Sequence, residues 1–381
     1  MSDMFYSNAR IYGADFRFHH GAFEVKDGVF GAVLPGNVPD DAVDLQGATV
    51  IPGMIDVHSH GNSGADFSDG DYKGLKKMAR FYASCGVTSF APASMTLPYE
   101  VLAKAFATAV KLKEEKPEGR AVLRGIQMEG PYFSYKKRGA QNPDYLKDPD
   151  FEGFKALYDG CGGLISIVDV APELPGAAEF TAKASKLCTV SVAHTDSDYD
   201  HARAVFDAGA THLTHLYNAM PGITHRAPGP IIAALEHGAE VELITDNVHI
   251  HPAMVRFTFN TFGADHVCLI ADSMMACGLP DGQYSLGGQA VTVKGPLATL
   301  TEQPGTIAGS NTCLYDCMKR AVLEMNVPLE SAVRAASENP ARSIGVDNDY
   351  GSLAAGRYGN VILADQALNI KAVYQKGTRI V

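Results

Sequence analysis

The sequence predicts an α/β protein. It reads as a (β/α)8 TIM barrel with a metal site at the strand C-termini, plus a small β-sandwich formed by the N- and C-terminal segments. Three observations predict this. From residue 50 to about 345, eight strand-like runs alternate with helix-like segments, the pattern of a parallel sheet wrapped by crossover helices. The first fifty residues and the stretch 360–381 read as strands alone. Ionisable side chains recur where the strand-like runs end, the face on which such barrels keep their chemistry.

Taken in order, residues 4–6, 22–25 and 29–34 are short apolar runs, and Asp27-Gly28 between two of them is a hairpin turn signal. The barrel strands then end at His58, Ala91, Glu129, Ala171, His194, His215, Asp246 and Asp272. Residues 71–85 carry apolar positions at helical spacing and stop before Gly86; 99–115 follow Pro98; 175–186 open on a proline, which suits a first helical turn; 198–208 stop at Gly209. Residues 278–306 are Gly-rich with short β runs such as Ala290-Val291-Thr292-Val293, which predicts a hairpin inserted after the last barrel strand. Lys376-Gly377 is a second turn signal near the C-terminus. The expected division is a discontinuous β domain, 1–50 and 346–381, around a catalytic barrel, 51–345.

A chain of 381 residues with 46% hydrophobic and 20% charged residues is ordinarily globular and long enough for a barrel with an accessory domain. A formal charge of −11 argues against nucleic acid and anionic membrane as partners, though not against a small anion in a closed pocket. Seven cysteines, an odd number without regular spacing, make no disulfide framework; reduced thiols and a cytoplasmic location are expected. Cys313 and Cys317 lie four apart with no second cysteine pair to complete a zinc site. No basic-then-apolar leader and no membrane-length apolar run stands out.

The chemistry is concentrated at the strand ends. His58 and His60 are two positions apart, so on a strand they share a face and reach one point beyond its end. Neutral imidazole is the commonest side-chain metal ligand. Strand three ends in Glu129, strand five in His194, strand six in His215 and strand eight in Asp272. Four histidines and two carboxylates from five strand ends point to a divalent metal site. Zinc is foremost, and iron, manganese, cobalt or nickel also suit these donors. His212, three residues before His215, falls on the opposite strand face and reads as structural. His19, His20, His201, His237 and His266 lie away from the strand C-termini and read as solvated or packing residues. A metal with open positions lowers the pKa of bound water from 15.7 to about 7. A nearby carboxylate, Asp272 above all, can carry the proton from attacking water to a leaving nitrogen. The expected reaction is hydrolysis of an amide or related carbon–nitrogen bond by metal-bound hydroxide.

These residues resemble a known family. Pro52-Gly53-Met54-Ile55-Asp56-Val57-His58-Ser59-His60-Gly61 looks like the opening motif of the amidohydrolase superfamily. Glu129-Gly130-Pro131-Tyr132-Phe133, Lys137-Arg138-Gly139-Ala140-Gln141-Asn142-Pro143 and Ala193-His194-Thr195 narrow it. So do Thr214-His215-Leu216-Tyr217-Asn218-Ala219-Met220-Pro221, Arg226-Ala227-Pro228-Gly229 and Ala308-Gly309-Ser310. Together they resemble the N-acetylglucosamine-6-phosphate deacetylase family, from about residue 50 to the C-terminus. The resemblance implies removal of the acetyl group of N-acetyl-D-glucosamine 6-phosphate, giving D-glucosamine 6-phosphate and acetate in amino-sugar catabolism.

It further implies roles for single residues. Glu129, His194 and His215 would hold the principal metal; His58 and His60 would support a second, with Glu129 bridging, so one or two ions per subunit. Asp272 would be general base, then acid, beside the metal. His249 would polarise the acetyl carbonyl. Gly139, Ala140, Gln141, Asn218 and Ala219 would contact the sugar phosphate, with Gln141 in a lid loop. Arg226 would bind phosphate across a homodimer interface, a task that suits a planar guanidinium. The basic run Lys136-Lys137-Arg138 reads as a solvated loop or as steering for an anion. Strand four, residues 164–171, has no lysine to carboxylate, which sets the chain apart from dihydroorotase- and hydantoinase-like relatives. Two positions depart from the family: Ser273 stands where an alanine is usual and Asn247 where a glycine is common. The rival expectations are the galacto epimer of the same substrate, a D-aminoacylase-like activity, and a sugar-phosphate-binding protein without turnover.

Overall fold

The computed structural model describes residues 4–34 and 39–381. Eight parallel barrel strands follow one another: Met54–Asp56, Val87–Phe90, a third in two pieces (Val122–Leu123 and Ile126–Met128), Ile165–Val170, Thr189–Val192, His212–Leu213, Glu240–Ile244 and Val267–Ile270. Neighbours pair in chain order. The third strand breaks at Gly125, where a Cβ would stand 2.2 Å from Ser166 Oγ, so only glycine lets the fourth strand approach. The barrel closes beyond the ladders: the Asp272 amide donates to the His58 carbonyl at 2.9 Å, and the His60 amide donates to the Ser273 carbonyl at 2.8 Å.

The helices over Tyr72–Ser84, Tyr99–Glu114, Ala177–Ala184 and Tyr199–Asp207 fall where the periodicity put them. Asp71 caps the first through two backbone amides and Asp198 caps the last through the His201 amide. Four more complete the outer ring: Phe151–Gly160, Gly229–Glu236, Pro252–Phe262 and Leu314–Leu323. Apolar residues between strands and helices, among them Val168, Val190, Leu243, Leu269, Phe106 and Phe180, are buried in one core. Among the described residues no helix is long and apolar enough to cross a membrane.

The run 49–57 is not one strand. Thr49–Pro52 pairs with Val361–Ala364 in the terminal sheet, while Met54–Asp56 belongs to the barrel. Gly53 is the joint, and a Cβ there would stand 2.3 Å from Thr88 Oγ1. The terminal strands, including Met4–Tyr12, Phe18–Lys26, Val29–Leu34 and Ile370–Gln375, hydrogen-bond into one eight-stranded sheet. That sheet folds onto itself: Gly359 and Gly377 approach Val25, and Gly28 approaches Lys376. Tyr6, Phe23, Phe30, Val361 and Leu363 are buried between its two layers. Both expected turns are two-residue turns with positive φ at each residue: Asp27 (50°) and Gly28 (82°), Lys376 (47°) and Gly377 (71°). That is the twist a hairpin favours.

The segment after the last barrel strand is larger than the expected hairpin. Gly282–Leu286, Gln289–Lys294, Leu297–Leu300 and Gln303–Ile307 form a four-stranded antiparallel sheet over the barrel mouth.

Candidate active site

Three of the strands that lead to candidate site residues end in a residue with left-handed backbone. His194 (φ 43°), His215 (29°) and Asp272 (47°) all take left-handed backbone, as do Tyr217, Ala219 and Asn247 in the loops that follow. Non-glycine residues seldom pay this conformational cost unless the surroundings over-determine it, and such residues gather at functional sites. Here the surroundings are specific. The His194 carbonyl accepts from Ser134, the Ala219 carbonyl from Thr195 and the Asp272 carbonyl from Ser310.

The buried side chains form two adjoining groups, Glu129 with His194 and His215, and His58 with His60 and Asp272. Glu129 touches both. Its Oε1 lies 3.2 Å from Nε2 of His194 and of His215, and 3.5 Å from Nε2 of His58. Its Oε2 lies 3.3 Å from His60 Nε2. Asp272 Oδ1 stands 3.3 Å from His60 Nε2 and 3.8 Å from His58 Nε2. His194 and His215 bring their Nε2 atoms to 3.0 Å. Donor atoms on a tetrahedral zinc stand about 3.3 Å apart, so this spacing is that of ligands on one ion.

The outer nitrogens settle which lone pairs face inward. Nδ1 of His58 donates to Glu242 (2.8 Å), Nδ1 of His60 to the Ala93 carbonyl (3.2 Å) and Nδ1 of His194 to the Lys137 carbonyl (2.9 Å). Each of these three rings therefore presents an unprotonated Nε2, the form a metal requires; His215 Nδ1 is buried without a partner among the described residues. His58 Nε2 and Asp272 Oδ1 are buried without a hydrogen-bond partner, a costly state that a cation relieves. The residues thus fit a divalent metal, and two groups sharing one carboxylate have the donors for two.

Burial pushes the Glu129 carboxyl up, but His58, His60, His194 and His215 outweigh it and hold it well below the usual range. The same contest, with His60 and His58 on the other side, leaves Asp272 lowered. Burial lowers His194 outright.

Above the groups lies a cavity of about 350 Å³. Of the sequence-predicted residues, His60, Glu129, Gly139, Ala140, Gln141, His194, His215, Asn218, Ala219, His249 and Asp272 line it. His58 sits beneath, fully buried. His249 is held by Asp246, whose Oδ2 accepts from Nδ1 at 2.8 Å and whose Oδ1 accepts two backbone amides. Burial works against its protonation, but Asp246 raises it. Gln141 is buried; its Nε2 donates to Glu129 Oε2 at 2.7 Å while its Oε1 accepts from the Thr96 amide. It therefore touches the carboxylate that adjoins both candidate ligand groups. Arg226 is exposed and does not line this chain's cavity. Lys136 pairs with Asp196, and Arg138 lies over Tyr135.

The two departures have physical accounts. Asn247 takes φ 67°, which glycine or asparagine adopts most readily. Ser273 Oγ donates to the Gly61 carbonyl at 2.8 Å, tying strand eight to the end of strand one.

The strand alternation used to separate His212 from His215 does not extend that far, although His212 belongs to neither candidate metal group. The sixth ladder ends at Leu213 and the backbone turns, so the alternation does not run from His212 to His215. His212 is buried with Nε2 3.2 Å from Glu242 Oε1. Sequence reasoning also missed Glu242 itself, along with Asp169 and the wall contributed by Met95, Leu286 and residues 305–307. A carboxylate inside an apolar strand, as in Val241-Glu242-Leu243 and Val168-Asp169-Val170, was the available signal.

Comparison with known proteins agrees with this geometry. The model of the amidohydrolase family matches residues 49–380. An N-acetylglucosamine-6-phosphate deacetylase from Bacillus subtilis (strain 168) is 37% identical over 320 residues, 83% of this chain and 80% of that protein. An N-acetylgalactosamine-6-phosphate deacetylase from Escherichia coli O157:H7 is 32% identical over 355 residues, 93% of each. Among solved structures, a mutant N-acetyl-D-glucosamine-6-phosphate deacetylase from Mycobacterium smegmatis, in complex with N-acetyl-D-glucosamine-6-phosphate, superposes with a TM-score of 0.94 at 32% identity, over 100% of both chains. With the barrel, the residues gathered at its strand ends and these matches in hand, the chain belongs to the amidohydrolase family.

Proposed function

We propose that this chain is a metal-dependent hydrolase that removes the acetyl group of N-acetyl-D-glucosamine 6-phosphate, giving D-glucosamine 6-phosphate and acetate. The observation that carries this reading is one cavity whose floor holds both ligand groups, Glu129 with His194 and His215 and His58 with His60 and Asp272, in a chain similar along most of its length to deacetylases of that name. A divalent cation, zinc foremost, held there would supply Lewis-acid polarisation and a water acidic enough to deprotonate near neutrality.

The chain's own residues do the rest. Asp272 takes a proton from the attacking water and passes it to the amine nitrogen as the carbon–nitrogen bond breaks. His249, its Nδ1 fixed by Asp246, offers Nε2–H to the acyl oxygen as charge develops there. Asn218, Ala219, Gly139 and Ala140 hold the sugar phosphate. Gln141 acts by orienting Glu129. Arg226 serves the cavity of a second copy in a homodimer, which accounts for a guanidinium exposed and remote from its own cavity. All seven cysteines are free thiols, in keeping with a cytoplasmic location.

The test is acetate release from the 6-phosphates of N-acetylglucosamine and N-acetylgalactosamine, each before and after chelation and metal add-back. Release from the gluco substrate that metal restores is expected. Faster release from the galacto epimer would transfer the assignment to that substrate, for which a relative of equal length speaks. Unphosphorylated N-acetylglucosamine turning over better than either would overturn the phosphate assignment.

A further inference from the structure

Glu242 lies one layer beneath the metal groups, fully buried in the seventh strand. Its two oxygens are both engaged. Oε2 accepts from His58 Nδ1 at 2.8 Å and from the His215 backbone amide at 3.2 Å. Oε1 accepts from His212 Nε2 at 3.2 Å. His58 is fully buried, and among the described residues Glu242 is the one hydrogen-bond partner of its ring: Nε2 has none, with Glu129 Oε1 and Asp272 Oδ1 at 3.5 and 3.8 Å. His60 and His194 find their Nδ1 partners in backbone carbonyls, Ala93 and Lys137, which no side-chain change removes. Among the described residues His215 Nδ1 has no partner, and of the four histidines His58 is the one whose Nδ1 bonds a side chain, which in turn bonds His212.

We infer that Glu242, clamped by His212, is a positioning residue that locks His58 as the Nδ1–H tautomer and thereby sets whether the His58–His60–Asp272 group holds its ion. The chain is built from below: His212 orients the carboxylate, the carboxylate orients His58, and His58 presents Nε2 to the cation. A carboxylate behind an imidazole also raises the basicity of the ligating nitrogen, and loss of such a partner costs metal affinity about 10- to 100-fold. The other group, Glu129 with His194 and His215, touches Glu242 only through one backbone amide, so it keeps its ion when the charge is lost. The inference rests on the metal-dependent reading above, yet its test needs no substrate and can fail independently of it.

The experiment is zinc titration of the metal-free full chain by calorimetry, with bound metal counted after dialysis. Wild type should bind two ions. Glu242→Gln, which keeps the shape but removes the charge, should keep one ion within about threefold of its wild-type affinity and bind the other about 10- to 100-fold more weakly. His212→Gln retains a donor near the position of Nε2 and should preserve both ions; His212→Leu removes it and should weaken the same ion as Glu242→Gln. The His212 pair decides the matter if the Glu242 variant does not fold. A wild-type chain that binds a single ion overturns the inference. So do variants that bind two ions as tightly as wild type, and a Glu242→Gln chain that loses both equally. Failure of acetate release with two ions bound and the variant pattern intact would instead overturn the proposed substrate and leave the role of Glu242 standing.

Discussion

The barrel mouth and the terminal sheet both hold non-glycine residues in left-handed backbone, and they do so for opposite reasons. In the terminal sheet these residues include Asp27 and Lys376, each followed by glycine in a two-residue turn. The local pairing rewards the conformation, and the pattern is readable within four residues. At the mouth they are His194, His215, Ala219 and Asp272, types with no turn preference apart from aspartate. Long-range hydrogen bonds hold them there, such as Ser134 to the His194 carbonyl, 60 positions away in sequence. A left-handed residue costs about 1–2 kcal/mol. One region spends it on reversing the chain and the other on aiming side chains at a single point.

The sharpest way to break this comparison is Asp272→Asn. If the mouth is aimed for proton transfer, turnover falls roughly 10²- to 10⁴-fold while the melting temperature stays close to wild type. Initial rates of acetate release and a thermal melt measure both. A near-normal rate would remove Asp272 from the proposed chemistry. The mirror experiment is Phe23→Ala in the terminal sheet. Phe23 stacks on Tyr6 and Phe30, with ring centroids 4.8 and 5.3 Å apart. Its loss should cost about 3–5 kcal/mol of stability by denaturant titration. Turnover per folded molecule should be unchanged, because the sheet carries none of the cavity wall. A fall in turnover under fully folding conditions would show that the two regions are coupled.

Between these lies Gln141→Leu. Gln141 donates to Glu129, a member of one candidate ligand group that also lies 3.5 and 3.3 Å from His58 and His60 of the other. Metal affinity should fall about 10- to 100-fold, for both ions together, with little change in stability. Dialysis against a metal buffer reads it out. The contrast with Glu242→Gln, where one ion is expected to respond, separates a carboxylate that adjoins both groups from a single imidazole.

Legibility followed the range of the forces involved. The four helices with a clear apolar stripe, the two hairpin turns and the strand ends carry their signals within a few neighbouring residues, and each was readable there. That His58, His60, Glu129, His194, His215 and Asp272 gather at one place was readable because a parallel barrel sends every strand end to one face. What stayed hidden depends on contacts between distant segments. Glu242 and His212 take their meaning from His58, which is 184 positions from Glu242. Gln141 read as a lid residue because its partner, Glu129, lies across a turn that sequence does not orient. The division of the apolar run at Gly53 is not legible in the sequence, because the crowding by the Thr88 side chain that marks it is tertiary. The four-stranded insert read as a hairpin because its strands are short and its outer faces polar.

The smallest expected effect tests the comparison most finely. Ala219→Gly and Asp27→Gly each place glycine at a left-handed position, φ 52° and φ 50°. Each relieves a Cβ cost of about 1–2 kcal/mol. Each also gives back about 0.4–1 kcal/mol through the freer unfolded chain. Both variants should therefore melt within a few degrees of wild type, and in that respect the two regions are alike. Kinetics should part them. Ala219 lines the cavity between Asn218 and Met220, and its carbonyl accepts from Thr195 beside His194. Loosening that backbone spreads the wall that would grip the sugar phosphate, and displacements of about 1 Å at such a wall are costly. Ala219→Gly should raise KM several-fold with kcat held within about twofold, while Asp27→Gly should change neither. Equal kinetics in the two variants would mean that the left-handed backbone at the mouth is only another turn, and that the aim of the site is set by the side-chain contacts alone.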